Sequence, residues 1–151
     1  MQARISHPIG IFPEALTALV AFSGSTGSTL PESTRNLVHL RASQINGCSV
    51  CLHLHAADLR RAGESEERIA TVAGWRDAPW FTDAERAALA LTEASTRLAD
   101  RADAVPDGIW QQAARHYDEK QLAALVIAIA SINAWNRLNV ATQAIAGALG
   151  G

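Results

Sequence analysis

Between Leu122 and Ile132 the chain reads LAALVIAIASI, apolar on nearly every side of a helix. A helix of that kind has to be buried, so the rest of the chain must pack around it. Just ahead of it, Asp118 and Gln121 have the spacing of a capping box, in which each side chain satisfies a backbone amide near the other. The pattern predicts a long central helix from there to about Leu149. The apolar run itself is too short to span a bilayer, and Asp118, Glu119, Lys120 and Arg137 flank it.

The remaining segments fit the same fold class. Alanine, leucine, glutamate and arginine dominate, and period-two alternation is rare, so strands are not expected. Pro13 opens a helix over roughly 13–22 that ends in SGSTGS, and Pro31 opens another that breaks at Asn46-Gly47. In that second helix Leu37, Leu40 and Arg41 mark the inward stripe. A third helix runs from about Cys48 to Ala62 and stops at Gly63, and Ser65 starts a short fourth. Thr82 and Glu85 form a second capping box, and Pro106 stands where a first-turn proline belongs. With no linker, repeat or low-complexity stretch, residues 1–151 read as one all-α domain, a bundle of about seven helices.

Bulk electrostatics exclude some functions. The formal charge is −2 and the 19% of charged residues are interspersed, so nothing recruits nucleic acid or an anionic membrane surface. The N-terminus MQARISHPIGIFPEAL lacks a continuous apolar core and a small-residue cleavage site, so a cytoplasmic protein is expected. No G-x-G-x-x-G or G-x-x-x-x-G-K motif is present, and no cofactor is expected.

The chemistry is concentrated in one short run. The chain has two cysteines, Cys48 and Cys51, and a disulfide between them closes almost no loop, so it adds little stability. A lone, adjacent pair suggests redox or metal chemistry instead. On a helix Cys48, Cys51 and His55 fall three and then four apart, forming one column with the imidazole a turn beyond Cys51. The turn at Asn46-Gly47 puts Cys48 in the first turn, where unsatisfied amides and the dipole favour a thiolate. Attack of one thiolate on a peroxide gives a sulfenic acid, and the second cysteine condenses with it to a disulfide. Two buried, inert thiols are one alternative reading; a zinc site on Cys48, Cys51 and His55 is another, although it lacks a fourth ligand.

The run RASQINGCSVCLHLHAADLRRAG, continuing into SEERI, resembles the core of the carboxymuconolactone decarboxylase superfamily on its alkylhydroperoxidase D (AhpD)-like branch. TDAERAALALTEASTRLAD and the late INAWNRLNVA match that layout, so the resemblance covers most of residues 30–145. It implies an AhpD-like helical bundle and a symmetric homo-oligomer, commonly a trimer or hexamer. It also implies reduction of a hydroperoxide, with Cys51 peroxidatic, Cys48 resolving and His55 relaying the proton. The electron donor it implies is a lipoyl domain, a thioredoxin-like protein or a small thiol.

Two positions depart from the family pattern. Asn36 stands where a glutamate usually completes the relay, and Val50 where a histidine can lie between the cysteines. An amide can orient an imidazole but cannot take up a proton at neutral pH. Asn36 is therefore placed in the site as an orienting residue, with His39, one turn on, as a substitute relay. Lactone decarboxylase-like chemistry and a redox-sensing or non-catalytic oligomer are the alternatives.

Other polar and aromatic residues receive bland expectations. His53 and His39 are expected at the surface, and His7 and His116 have no companions and carry no role. Trp75, Trp80, Phe81, Trp110 and Trp135 are expected as core or interface anchors. Arg41, Arg60, Arg61 and Arg68 can orient an anionic substrate, though salt bridging is their commoner fate. Asn133, Asn136 and Asn139 recur at helical spacing, either as ordinary exposure or as a hydrogen-bonding seam between helices or subunits.

Overall fold

A computed structural model describes residues 2–147. Every regular element in them is helical: α1 (Pro8–Ile11), α2 (Pro13–Gly24), α3 (Glu32–Asn46), α4 (Ser49–Arg61), α5 (Glu66–Thr71), α6 (Asp83–Thr96), α7 (Asp107–Ala114) and α8 (Glu119–Thr142). A short 3-10 turn, Val72–Gly74, extends α5. The added element relative to the sequence pattern is α1, a single turn that His7 caps by accepting the Ile9 amide at Nδ1, 3.4 Å away.

Both capping boxes form, Thr82 with Glu85 ahead of α6 and Asp118 with Gln121 ahead of α8. Pro31 and Pro106 lie one residue outside their helices rather than in the first turn; their ψ values of 138° and 145° are extended. Gly47 closes α3 at φ 69°, and Gly63 follows α4 at φ 84°, left-handed positions that a side chain would strain.

α8 stops at Thr142, short of Leu149, which lies outside the described residues. The helix closes on a local left-handed cap, in which the Ala144 amide returns to the Asn139 carbonyl at 2.9 Å, and a segment distant in sequence satisfies its last carbonyls. The Arg4 amide donates to the Thr142 carbonyl at 2.9 Å and the Arg4 guanidinium to that of Ala141, so the N-terminal segment satisfies the helix end. Gln143 then turns left-handed at φ 53°.

The centre of the bundle is α3, which packs on α4, α6 and α8. Leu37 and Leu40 point into a core with Leu59, Val72, Trp75 and Leu89; Val38 joins Leu91, Leu125 and Ile129 on the other side. Burying each such leucine contributes about 2 kcal/mol. α8 is less enclosed than its sequence suggests. It is long and apolar enough to cross a membrane by length and composition, yet half of its most apolar window is packed in the bundle. Val126 and Val140 are exposed, on positions of α8 that its neighbours α2, α3, α4, α6 and α7 leave uncovered. α2 buries no residue and leaves Phe12, Val20 and Phe22 at its margins exposed. Trp75 and Phe81 are core residues, whereas Trp80 and Trp110 are substantially exposed.

The four arginines flagged from sequence are ion-paired. Arg41 binds Glu93, Arg60 binds Glu66, Arg61 binds Asp58, and Arg68 bridges Glu64 and Glu85. Glu93, buried on α6, accepts from Arg41 at 2.8 Å, from the Trp75 indole at 2.9 Å, and from Arg76 and Arg97. Burial pushes its carboxyl up, but these donors outweigh burial and hold it down at about 2.

Candidate active site

The left-handed Gly47 reverses the chain so that the Cys48 amide returns to the Ser43 carbonyl at 3.0 Å, and α4 begins immediately afterwards. Cys48 is the N-cap of α4 rather than a first-turn residue. Its sulfur takes the place of the usual serine or aspartate oxygen and accepts the Cys51 amide at 3.2 Å. Cys48 and Cys51 are joined as a disulfide with Cα atoms 5.4 Å apart. Both are buried, in a small apolar cluster with Ala42, Val50 and Ile132 from α3, α4 and α8.

Two cavities meet the disulfide from different sides. One of about 260 Å³ is lined by Cys51 and His55 together with Leu54, Ile132, Trp135 and Asn139, and reaches His7 and Ile9 of the N-terminal segment. The other, of about 350 Å³, opens on Cys48, Ser49 and Gln143. Val50 and Asn139 form the wall between them.

His55 is half-buried, and its Nδ1 lies 3.2 Å from the Asp58 carboxylate, which also pairs with Arg61. A carboxylate only accepts, so Nδ1 carries the hydrogen and Nε2 is left as the proton acceptor. Burial pulls the His55 pKa below its ordinary value, with Asp58 opposing it, so the ring is neutral near pH 7.

His39 is a correction to the sequence reading, which put it at the surface. Its ring stacks at 4.8 Å, tilted, against that of His55, and its Nε2 is buried with no hydrogen-bond partner. Burial, helped by His55 and Arg35, lowers its pKa to about 3. Asn36 is buried on α3 one turn before His39, and no hydrogen bond joins its side chain to His55. The structure thus brings Cys48, Cys51 and His55 together, adds Asp58 and His39, and gives Asn36 no hydrogen bond to the imidazole. His53 is exposed on the opposite side of α4.

The asparagines of α8 form a seam between helices. The Asn46 amide donates to Asn133 at 2.9 Å and to Asn136 at 2.8 Å; Asn133 donates to Thr96 and Asn136 to Ser43. These bonds tie the turn before Cys48 to α8. Asn139, next along the stripe, donates to the Cys51 sulfur at 3.4 Å and contacts His7 Nε2 at 2.9 Å through its oxygen. His7, which has no companion in sequence, therefore has one in space. Asp58 was open to detection as His-x-x-Asp on one helix face, whereas nothing local marks His7. Among the described residues no group of three His, Cys, Asp or Glu side chains is arranged to hold a metal ion.

An all-helical bundle with a buried CxxC at a helix start, beside an imidazole, defines the class of protein. Residues 13–94 match the carboxymuconolactone decarboxylase family, and the chain belongs to that family. The uncharacterized protein YdfG of Bacillus subtilis is 36% identical over 142 residues, which span 93% of this chain and 95% of that one. A crystal structure from Agrobacterium tumefaciens, of a protein of unknown function described as a candidate antioxidant defence protein AhpD, superposes with a TM-score of 0.89. It is 32% identical, over 96% of this chain and 98% of that one. The debrominase Bmp8 shares the fold at a TM-score of 0.81 with 20% identity, over 93% of this chain and 75% of that one.

Proposed function

We propose that this chain is a thiol-dependent peroxidase that reduces a hydroperoxide at Cys51. The observation that carries the reading is the buried Cys48–Cys51 couple, whose second sulfur shares a cavity with a neutral imidazole. In the reduced protein, Nε2 of His55 takes the Cys51 proton. The thiolate attacks the distal oxygen of the hydroperoxide; the S–O bond forms, the O–O bond breaks, and the departing alkoxide recovers the proton from His55. The Cys48 thiol then attacks the Cys51 sulfenic acid, forming the S–S bond and releasing water. A dithiol donor, on a lipoyl or thioredoxin-like protein, restores both thiols by exchange and leaves as its own disulfide.

The two cavities suit this division, since the hydroperoxide meets Cys51 in one and the donor meets Cys48 in the other. Asp58 orients His55 in place of the family's glutamate, the position held here by Asn36. A single domain assembled with copies of itself through the exposed apolar side chains around α2, working in the reducing cytoplasm, completes the reading.

The test is adduct mapping in single-serine variants. Cys51→Ser is expected to abolish peroxide consumption, while Cys48→Ser permits one turnover and leaves a sulfenic acid on Cys51 that dimedone traps. A dimedone adduct on Cys48 in Cys51→Ser, formed at the wild-type rate, reverses the two roles. Absence of any peroxide-dependent thiol loss in the wild-type protein refutes the peroxidase reading.

A further inference from the structure

The Cys51 sulfur has a polar partner from outside its own helix. Asn139 of α8 points its amide nitrogen at that sulfur from 3.4 Å, and its oxygen lies 2.9 Å from Nε2 of His7. His7 accepts the Ile9 amide at Nδ1, so that nitrogen is unprotonated and the ring hydrogen sits on Nε2. The Nε2–H can donate only to an oxygen, which fixes the Asn139 oxygen toward His7 and its NH2 toward Cys51. The backbone of α1 therefore sets a donor direction at the sulfur, through two side chains from opposite ends of the chain.

A disulfide sulfur is a weak acceptor and gains little from this donor; a thiolate gains much more. We propose that Asn139, aimed by His7, is a positioning residue that holds the Cys51 sulfur as a thiolate in the reduced protein. The inference rests on Cys51 being the reacting thiol. It differs from the role of His55, which accepts the proton, because an amide has no proton to exchange and acts only by stabilising the anion. Among the described residues the titratable side chains lining this cavity besides Cys51 are His7 and His55, and the apolar residues clustered with Cys51 from α3 and α8 are Ala42 and Ile132. Among the described residues no carboxylate lines the cavity to oppose the donor.

The test is a thiolate titration that uses no peroxide. In the full chain carrying Cys48→Ser, Cys51 is the sole thiol, and its ultraviolet thiolate absorbance is followed against pH. Asn139→Ala is expected to raise the midpoint by about one pH unit, a tenfold loss of thiolate at a given pH. Asn139→Asp, nearly isosteric, raises it further by setting an anion against the sulfur. His7→Phe keeps the apolar contact with the cavity and raises the midpoint by a smaller step, because the amide is then free to turn.

A midpoint unmoved by Asn139→Ala overturns the proposal; if that variant fails to show native circular dichroism, an unmoved midpoint in Asn139→Asp does so. A midpoint moved by Asn139→Ala but not by His7→Phe removes His7 from the device. Peroxide consumption is measured separately on the protein with both cysteines. Its absence alongside the expected shifts refutes the peroxidase reading and leaves the thiolate device standing.

Discussion

Glu93→Gln isolates the charge on which α3, α6 and the turn after α5 converge. Glutamine keeps the size of the side chain and an oxygen for the Trp75 indole, but leaves Arg41, Arg76 and Arg97 facing a neutral group. Arg76 and Arg97 have side chains 59% and 39% exposed and rehydrate at little cost. Arg41 is 11% exposed, and breaking a buried pair costs about 3–5 kcal/mol. Arg41 keeps one bond, to Gln44 at 3.0 Å, which puts the loss at the lower end, about 3 kcal/mol.

The titration of Glu93 gives an independent figure. Lowering its pKa from 4.5 to about 2 corresponds to about 3 kcal/mol, and nearer 2 after allowing for solvent around the two outer arginines. For a domain of this length that is a fall in Tm of roughly 4–12 °C near pH 7. The folded-state pKa is depressed, so the contribution is complete above the unfolded value of 4.5 and is lost as pH falls toward 2. Near pH 3, less than about half of it remains. Urea denaturation of both proteins near pH 7 and again near pH 3 checks this, and a stability gap of equal size at the two pH values refutes the electrostatic argument.

Three further outcomes are expected. His39→Phe removes a buried nitrogen that has no partner and is expected to stabilise the protein by about 1 kcal/mol in urea denaturation. His39 also has a folded pKa of about 3 against an ordinary 6.5, so the unfolded chain takes up its proton first and stability falls as pH drops through that window. The variant is expected to lose that part of the acid sensitivity, and an unchanged slope of stability against pH refutes it. Gly47→Ala places a Cβ that meets nothing within 4 Å, so its cost is the left-handed backbone alone, about 1 kcal/mol; thermal melting that shows no loss refutes the strain. Light scattering is expected to give a multiple of the 16.1 kDa chain mass, and the mass of one chain excludes the oligomer.

What could be read from the sequence was what is encoded locally. Thr82 with Glu85 and Asp118 with Gln121 satisfy amides within one turn, so their spacing alone locates the starts of α6 and α8. Cys48, Cys51 and His55 sit on consecutive turns, which made the candidate column visible. Features that depend on distant partners were not visible. The last carbonyls of α8 are satisfied by Arg4, and the cap of α1 is an imidazole, a residue type with no strong capping preference. His39 was misplaced because periodicity says which side of α3 it occupies but not that α4 lays His55 across it. Of the asparagine stripe the sequence showed the spacing, and the partners Asn46, Ser43 and Thr96 appear only once the helices are packed.

That stripe has a consequence for how the chain can change length over evolutionary time. Asn136 and Asn139 lie three residues apart on one helix, one fastened to the turn before Cys48 and the other aimed at Cys51. Inserting or deleting a single residue between them rotates Asn139 by about 100° and shifts it by about 1.5 Å relative to Asn136, carrying the amide off the sulfur. The stretch of α8 between the two is thus closed to indels, even where its side chains face outward. The exposed connection over 98–103, between α6 and α7, has no such phase to keep. Relatives that retain this cysteine device are expected to differ in length there and to agree in length between the two asparagines.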